Sequence, residues 1–134
     1  MTREIKFRAK IVMDIEPFAM KKGHWVEGHY YEDLQDGEWC SWIKDCNDII
    51  HYKVDKNTLG QFTGVLDKNG KEIWEHDIVD WDGVKMLVEF IDGGFCMHEN
   101  YEDATLHDLF FERNEINVIG NRFDNPELLK TEEP

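Results

Sequence analysis

Apolar and polar residues alternate with a period of two near the start of the chain. Every second residue from Ile5 to Ile11 is apolar, and Lys6, Arg8 and Lys10 lie between them. Successive side chains of a β-strand point to opposite faces, so this period is typical of a half-buried strand. We predict a strand here, with the three basic side chains facing outward.

Two turn sequences predict antiparallel hairpins further along the chain. Asp36-Gly37 separates two aromatic-rich runs, and Asn69-Gly70 separates two short runs of alternating polarity. Asp-Gly and Asn-Gly are strong hairpin signals, because these residues tolerate the positive φ of a primed turn. We expect the strand at residues 77–81 to follow the second hairpin.

Strands at short intervals, with turns between them and no long helical pattern, predict an all-β barrel or sandwich. The N-terminal strand needs an apolar surface, and the aromatic hairpin is the nearest source of one. We therefore expect residues 1–54 to form an antiparallel sheet beside a second β-region, residues 55–129. Asn125-Pro126 has the N-cap pattern of a short helix, and residues 130–134 are expected to be a flexible tail.

The charge of the chain limits its partners. The formal net charge is −14; residues 1–22 carry six basic and three acidic residues, whereas residues 23–134 have a net charge of −17. An acidic field repels nucleic acid and anionic membranes, so we expect direct binding to neither. The same field permits an alternative function, that of an acidic decoy which imitates DNA toward a nucleic-acid-binding protein.

The number of cysteines and the shortness of the apolar runs favour a cytoplasmic location. Cys40, Cys46 and Cys96 are odd in number, so at least one thiol is unpaired. No signal peptide is visible, and no apolar run approaches the roughly 20 residues needed to cross a membrane. We expect reduced thiols in a cytoplasm.

Six short motifs follow one another along nearly the whole chain. They are IKFRA at 5–9, TLGQFTG at 58–64, DKNGKEI at 67–73, EHDIV at 75–79, VIGN at 118–121 and NPELL at 125–129. Their order resembles the YopX family of phage and prophage proteins. The resemblance implies an SH3-like β-barrel in the C-terminal region, a bacterial host cell and no assigned biochemical activity. His76 stands where the family usually carries Gly, in a turn that can require positive φ.

Residues that could support catalysis or bind a metal lack the spacing that such sites need. The six His and three Cys form neither a Cys-x-x-Cys pair nor a His-Glu-x-x-His helix. Asp77, Asp80 and Asp82 lie near one strand and its turn, which leaves a metal-dependent enzyme as an alternative. With 29 acidic residues in the chain, a solvated face explains such clustering better. We predict no enzymatic activity, no cofactor and no bound metal.

The best candidate for a functional surface is an interface with another protein. The residues are Lys6, Arg8, Lys10, Trp25, Tyr30, Trp39 and Trp42. Exposed aromatic side chains mark interfaces, although core packing is the alternative role for most of these. The basic row on an acidic protein also favours a homo-oligomer, because a neighbouring copy can dock its acidic face there. We predict a non-enzymatic module that binds a protein partner.

Overall fold

A computed structural model describes residues 4–16, 20–47 and 49–130. The chain divides into two compact units, Met1–Gln61 and Phe62–Pro134. The described residues are mainly β-strand, with only three short 3₁₀ helices, so the predicted fold class is confirmed at this level. The predicted division into residues 1–54 and 55–129 stays a prediction.

The first unit contains one antiparallel sheet. Its elements are β1 (Phe7–Lys10), β2 (Trp25–Gln35), β3 (Glu38–Lys44), β4 (His51–Val54), the 3₁₀ helix η1 (Lys56–Thr58) and the first two residues of β5 (Gly60–Leu66). The hydrogen-bonded order within this unit is β4-β3-β2-β1-β5. Strand β1 therefore lies between β2 and the start of β5.

The core of the first unit joins the N-terminal strand to the aromatic hairpin. Its buried members are Ala9, Ile11, Val26, Ile43, Tyr52 and Val54. This packing is the one that the alternating pattern predicts for Ala9 and Ile11. Ile5 does not follow the pattern and is 56% exposed, because β1 begins only at Phe7.

The hairpin of β2 and β3 extends beyond its neighbouring strands. Asp36 and Gly37 have φ values of 50° and 83°, so the predicted primed turn is confirmed. Strand β1 pairs with β2 only at residues 25–28, and β4 pairs with β3 only at residues 41–44. Residues 32–40 thus form a two-stranded segment, here called the ribbon end, that no other described strand flanks.

The second unit contains a hairpin and a five-stranded antiparallel sheet. Its further elements are β6 (Glu72–Trp74), β7 (Asp77–Trp81), β8 (Val84–Ile91), β9 (Gly94–His98), β10 (His107–Asp108), β11 (Ile116–Asn121), η2 (Arg113–Glu115) and η3 (Pro126–Leu129). Strands β5 and β6 form the hairpin, and the sheet has the order β10-β9-β8-β7-β11. The described strands close no barrel, so the SH3-like barrel implied by the family resemblance is not confirmed.

The core of the second unit lies on one face of this sheet. The buried residues are Ile73, Val79, Met86, Val88, Met97, Leu109 and Ile116. The predicted short C-terminal helix is present as η3, but the Asn125 side chain does not cap it. Asn125 Oδ1 instead accepts a hydrogen bond from the Asn121 N–H at 3.2 Å. Of the predicted tail, residues 131–134 lie outside the described part of the chain.

The predicted Asn69-Gly70 hairpin is confirmed, with a different turn geometry. Gly70 has a φ of 81°, whereas Asn69 lacks positive φ, so the turn is not a primed one. Asp67 N–H donates to the Lys71 carbonyl at 2.8 Å, and Gly70 N–H donates to the Asp67 carbonyl at 3.0 Å. Only the glycine therefore needs left-handed backbone freedom.

His76 occupies a second left-handed position. Its φ is 76°, which is costly for a residue with a Cβ. Two backbone hydrogen bonds hold it there: His76 N–H donates to the Val88 carbonyl at 2.7 Å, and Arg122 N–H donates to the His76 carbonyl at 3.0 Å. The need for positive φ explains why glycine is suitable at this position.

The carboxylate of Asp67 connects the β5–β6 hairpin to β11. It accepts hydrogen bonds from the backbone N–H groups of Asn69, Lys71 and Val118, each at 2.9 Å. Burial alone would raise the pKa of Asp67, but the bonds from Val118, Lys71 and Asn69 outweigh it and hold the pKa below its ordinary value. The ionised form is therefore the one that the folded unit stabilises.

We expect Gly70→Val to lower the free energy of unfolding by about 1–2 kcal/mol, because a β-branched residue resists positive φ. An added Cβ meets no atom within 4 Å at this position, so the cost is conformational. Gly94→Val is the matched control, since Gly94 also has open space and lacks positive φ. Equal urea denaturation midpoints for the two variants would count against the turn geometry.

We expect Asp67→Asn to lower the free energy of unfolding by about 1–3 kcal/mol at pH 7, because the amide cannot accept all three backbone hydrogen bonds. The folded-state pKa of Asp67 is lowered, so its stabilisation is complete above the unfolded-state pKa near 4. It is lost as the pH falls from there through the folded-state value. Unfolding curves for both proteins should converge over that interval, and a pH-independent difference would contradict the role of the charge.

Candidate functional site

The basic row of β1 is less exposed than the sequence predicts. The Lys6 side chain is only 12% exposed, and its Nζ lies 3.4 Å from Glu4 Oε1 and 3.5 Å from Glu27 Oε1. The Arg8 and Lys10 side chains are also partly buried. These three residues therefore do not form a fully outward-facing row, although they remain close together.

Trp25 is the aromatic centre of this basic group. The β1–β2 register places Lys10 opposite Trp25, and the Lys10 Nζ lies 5.3 Å from the indole centroid. The Arg8 Cζ lies 4.8 Å from the same centroid. Both distances fit cation–π contacts. Three of the predicted interface residues, Arg8, Lys10 and Trp25, thus form one cluster, while Lys6 pairs with Glu4 and Glu27 beside it.

Tyr30 lies at the boundary between the core and the ribbon end. Its ring packs against Phe7, with centroids 6.0 Å apart. The hydroxyl donates to Glu32 Oε2 at 2.5 Å and lies 3.0 Å from Ser41 Oγ. Burial and the hydrogen bond to Glu32 raise the pKa of Tyr30. These contacts make Tyr30 a structural residue more than a binding one.

Trp42 belongs to an aromatic group on the other face of the hairpin. Its ring stacks on Tyr31 at a centroid distance of 6.4 Å, and its Nε1–H donates to Asp33 Oδ1 at 2.8 Å. The Tyr31 hydroxyl lies 2.6 Å from His51 Nδ1. Trp42 is therefore half-buried and engaged within the sheet.

Trp39 is the one predicted aromatic residue that is largely exposed. It lies in the ribbon end, directly opposite Leu34 in the β2–β3 register. Trp39 is 72% exposed and Leu34 is 58% exposed. Sequence reasoning missed Leu34, although a two-residue Asp36-Gly37 turn fixes which residues face each other.

The exposed Leu34–Trp39 pair has an acidic surround. Residues 32–40 contain four acidic and no basic side chains: Glu32, Asp33, Asp36 and Glu38 are the acidic ones. Lys56 Nζ from η1 reaches Glu32 Oε2 at 2.8 Å. The Lys56 hydrogen bond, followed by that of Tyr30, lowers the pKa of Glu32. Glu32 shares the face of the apolar pair and Asp36 lies in the turn, whereas Asp33 and Glu38 lie on the opposite face. An apolar centre bordered by charged residues is the usual anatomy of a protein interface.

The carboxylates proposed for a metal do not come together. Asp77 is buried, and its Oδ2 accepts a hydrogen bond from the Trp74 N–H at 2.8 Å. Asp80 and Asp82 instead line a groove of about 690 Å³ together with Trp81, whose Nε1–H donates to Glu115 Oε2 at 3.3 Å. Within residues 4–16, 20–47 and 49–130, no three His, Cys, Asp or Glu side chains form a group that fits a metal ion.

We expect reversal of Lys6, Arg8 and Lys10 to Glu to lower the free energy of unfolding by about 1–3 kcal/mol, since the cluster around Trp25 loses its cation–π contacts and an ion pair. The sequence alone predicted an unchanged fold. The matched control reverses three exposed lysines, Lys22, Lys85 and Lys130. Chemical denaturation measures the cost, and equal stability of the two triple variants would show that the cluster is not structural.

Comparisons with known proteins identify the family. The profile described as "YopX protein" matches residues 6–130. A crystal structure of protein EF1440 from Enterococcus faecalis is 22% identical, with a TM-score of 0.50; the match covers 96% of this chain and 100% of that one. The X-ray structure of protein yopX from Bacillus subtilis is 21% identical, with a TM-score of 0.51 and the same coverage.

The likeness to these two solved structures shows a shared fold. No curated protein matches the chain. None of the helices in the described part of the chain is long and apolar enough to span a membrane. The profile match extends over nearly all of the sequence, in agreement with the six motifs that resemble this family. The chain therefore belongs to the YopX family.

Proposed function

We propose that this protein is a non-enzymatic binding module that docks its ribbon end into an apolar pocket of a partner protein. The observation that carries the proposal is the exposed Leu34–Trp39 pair at the end of the β2–β3 hairpin. Trp is the residue type most enriched among the side chains that dominate binding energy. The acidic rim indicates a partner whose pocket is bordered by Lys or Arg.

The strand alternation explains why this pair is apolar and exposed. Tyr30 and Ile43 face each other in the hairpin and pack in the core of the first unit. Leu34 and Trp39 lie on the same face, four residues further along each strand. At that distance the flanking strands have ended, so the core face of the hairpin continues into solvent. A partner protein would complete the packing that the chain itself leaves open.

The setting of this function is also a proposal. Family membership supports a phage or prophage origin, and hence action inside a bacterial host cell. Cys40, Cys46 and Cys96 are all free, and two of them are buried, which supports a reducing cytoplasm.

A second candidate function rests on the distribution of charge. Residues 1–61 carry nine basic and eleven acidic side chains, whereas residues 62–134 carry six basic and eighteen acidic ones. Nearly all of the net charge of −14 therefore belongs to the second unit. This asymmetry supports the decoy hypothesis, in which the second unit imitates the field of DNA toward a nucleic-acid-binding protein.

The experiment compares binding by four proteins: the unmodified chain, Leu34→Ala, Trp39→Ala and Phe111→Ala. Phe111 is the matched control, because it is 79% exposed and lies in the second unit. A protein captured from a bacterial lysate is purified and titrated against each variant. We expect Leu34→Ala and Trp39→Ala each to weaken binding at least about tenfold, with unchanged thermal stability, and Phe111→Ala to bind normally.

Titrations at low and high salt separate the two candidate functions. A partner bound by the ribbon end keeps most of its affinity at high salt, because the apolar contact is not screened. A decoy binds its partner more weakly as the salt concentration rises, and competing DNA displaces it. Removing three negative charges from the second unit with Asp80→Asn, Asp82→Asn and Glu115→Gln should weaken only the decoy. Equal affinity of Trp39→Ala and the unmodified chain for the purified partner would refute docking by the ribbon end.

A further inference from the structure

We infer that the outer edge of β2, residues 29–35, accepts an extended segment of the partner protein as an added β-strand, with alternating basic and apolar side chains. The inference rests on the proposed function and specifies how the partner is held. The backbone of β2 supplies the affinity in this mode, and the side chains of the ribbon end supply the selectivity.

The edge of β2 is only partly covered. Strand β3 pairs with one side of β2 along residues 29–35, and β1 pairs with the other side only at residues 25–28. Residues 4–6 lead into β1 and by register run toward residues 29–31, but they form no strand, and among the described strands none pairs with residues 29–35 on the side of β1. An uncovered strand edge presents a row of N–H and C=O groups, which is the template that an added strand needs.

The chain itself shows what kind of strand this edge binds. Strand β1 continues the same edge and alternates apolar residues with Lys and Arg. Arg8 pairs with Glu27 in the β1–β2 register, and Lys6 Nζ lies 3.5 Å from Glu27 Oε1. The apolar residue Ala9 lies on the other face, in the core. Basic side chains therefore pair with the carboxylate face of β2, and apolar ones with the core face.

The rest of the edge repeats this division into two faces. Asp33 follows Glu27 on the first face, since residues of equal parity share a side of the strand. Leu34 lies on the core face, opposite the exposed Trp39. An added strand with the same assignment of faces as β1 would place Lys or Arg near Asp33 and apolar side chains near Leu34. Asp33 thus favours basic residues in the added strand, and the Leu34–Trp39 pair favours apolar residues between them.

A second copy of β2 does not fit this edge. Antiparallel pairing of two β2 edges about an axis near residues 32–33 would bring Glu32 and Asp33 close to the same residues of the other copy. Like charges on neighbouring strands destabilise a sheet. The acidic pair therefore disfavours self-association at this edge and favours a basic strand from another protein.

The test uses a capped peptide of alternating Lys and Val, seven residues long, and the full chain. We expect saturable binding, slowed amide hydrogen exchange within residues 29–35, and at least about tenfold weaker binding by the same peptide methylated on alternate backbone nitrogens. A peptide with Glu in place of Lys should not bind. Asp33→Asn retains an acceptor for Trp42 Nε1–H and should weaken binding about threefold or more at low salt.

Three results would overturn strand addition: equal binding of the methylated peptide, protection confined to residues 62–134, or no binding at about 1 mM peptide. These results leave the proposed function intact if the purified partner still loses affinity for Trp39→Ala. The opposite outcome is also informative. If the Lys-Val peptide binds but the captured partner has the same affinity for Trp39→Ala as for the unmodified chain, strand addition is supported and the apolar pocket is not. The two proposals therefore fail separately.

Discussion

A buried carboxylate, that of Asp67, joins two distant segments of the second unit. Asp67 lies at the start of a turn, and its two oxygens accept three backbone N–H groups, one of them from Val118, 51 residues later in the chain. Lys68 N–H adds a bond to the Ile116 carbonyl at 3.0 Å, so the turn is attached to β11 at two points. A neutral side chain of the same shape cannot satisfy all three donors. The turn sequence is therefore constrained by a distant strand as much as by its own φ angles.

Much of the fold could be predicted from local patterns, and the errors have physical causes. Both hairpins follow from Asp-Gly and Asn-Gly, which favour a turn within four residues. The turn type was predicted correctly only for Asp36-Gly37, because Asn69 lacks positive φ. Contacts with distant segments were not predictable in this way: Asn125 bonds to the Asn121 N–H and does not cap η3. The SH3-like barrel was implied by resemblance and not by strand pairing, and the described strands do not close one.

The candidate site was predicted less well, because exposure depends on where neighbouring strands end. Trp25, Trp39 and Trp42 all belong to alternating aromatic strands, and only their neighbours distinguish them. Strands β1 and β4 cover the base of the hairpin, which leaves Trp25 and Trp42 half-buried and Trp39 exposed. Leu34 could have been found by counting back from the Asp36-Gly37 turn. The basic row was expected to face water. Instead, Arg8 packs over the Trp25 ring and Lys6 pairs with Glu27, because both partners lie on the neighbouring strand.

The acidity of the ribbon end has a structural consequence that is independent of any partner. A strand edge that continues an apolar core face into water is prone to pair with other copies of itself. Natural proteins counter this tendency with charged residues beside the exposed apolar ones. Glu32 and Asp36 border Leu34 and Trp39 on the same face and at the turn, and Asp33 and Glu38 lie next to them along the chain, on the opposite face. Under the proposed function, the same acidic residues also favour a basic partner, so resistance to edge-to-edge pairing and selectivity would have a common physical origin.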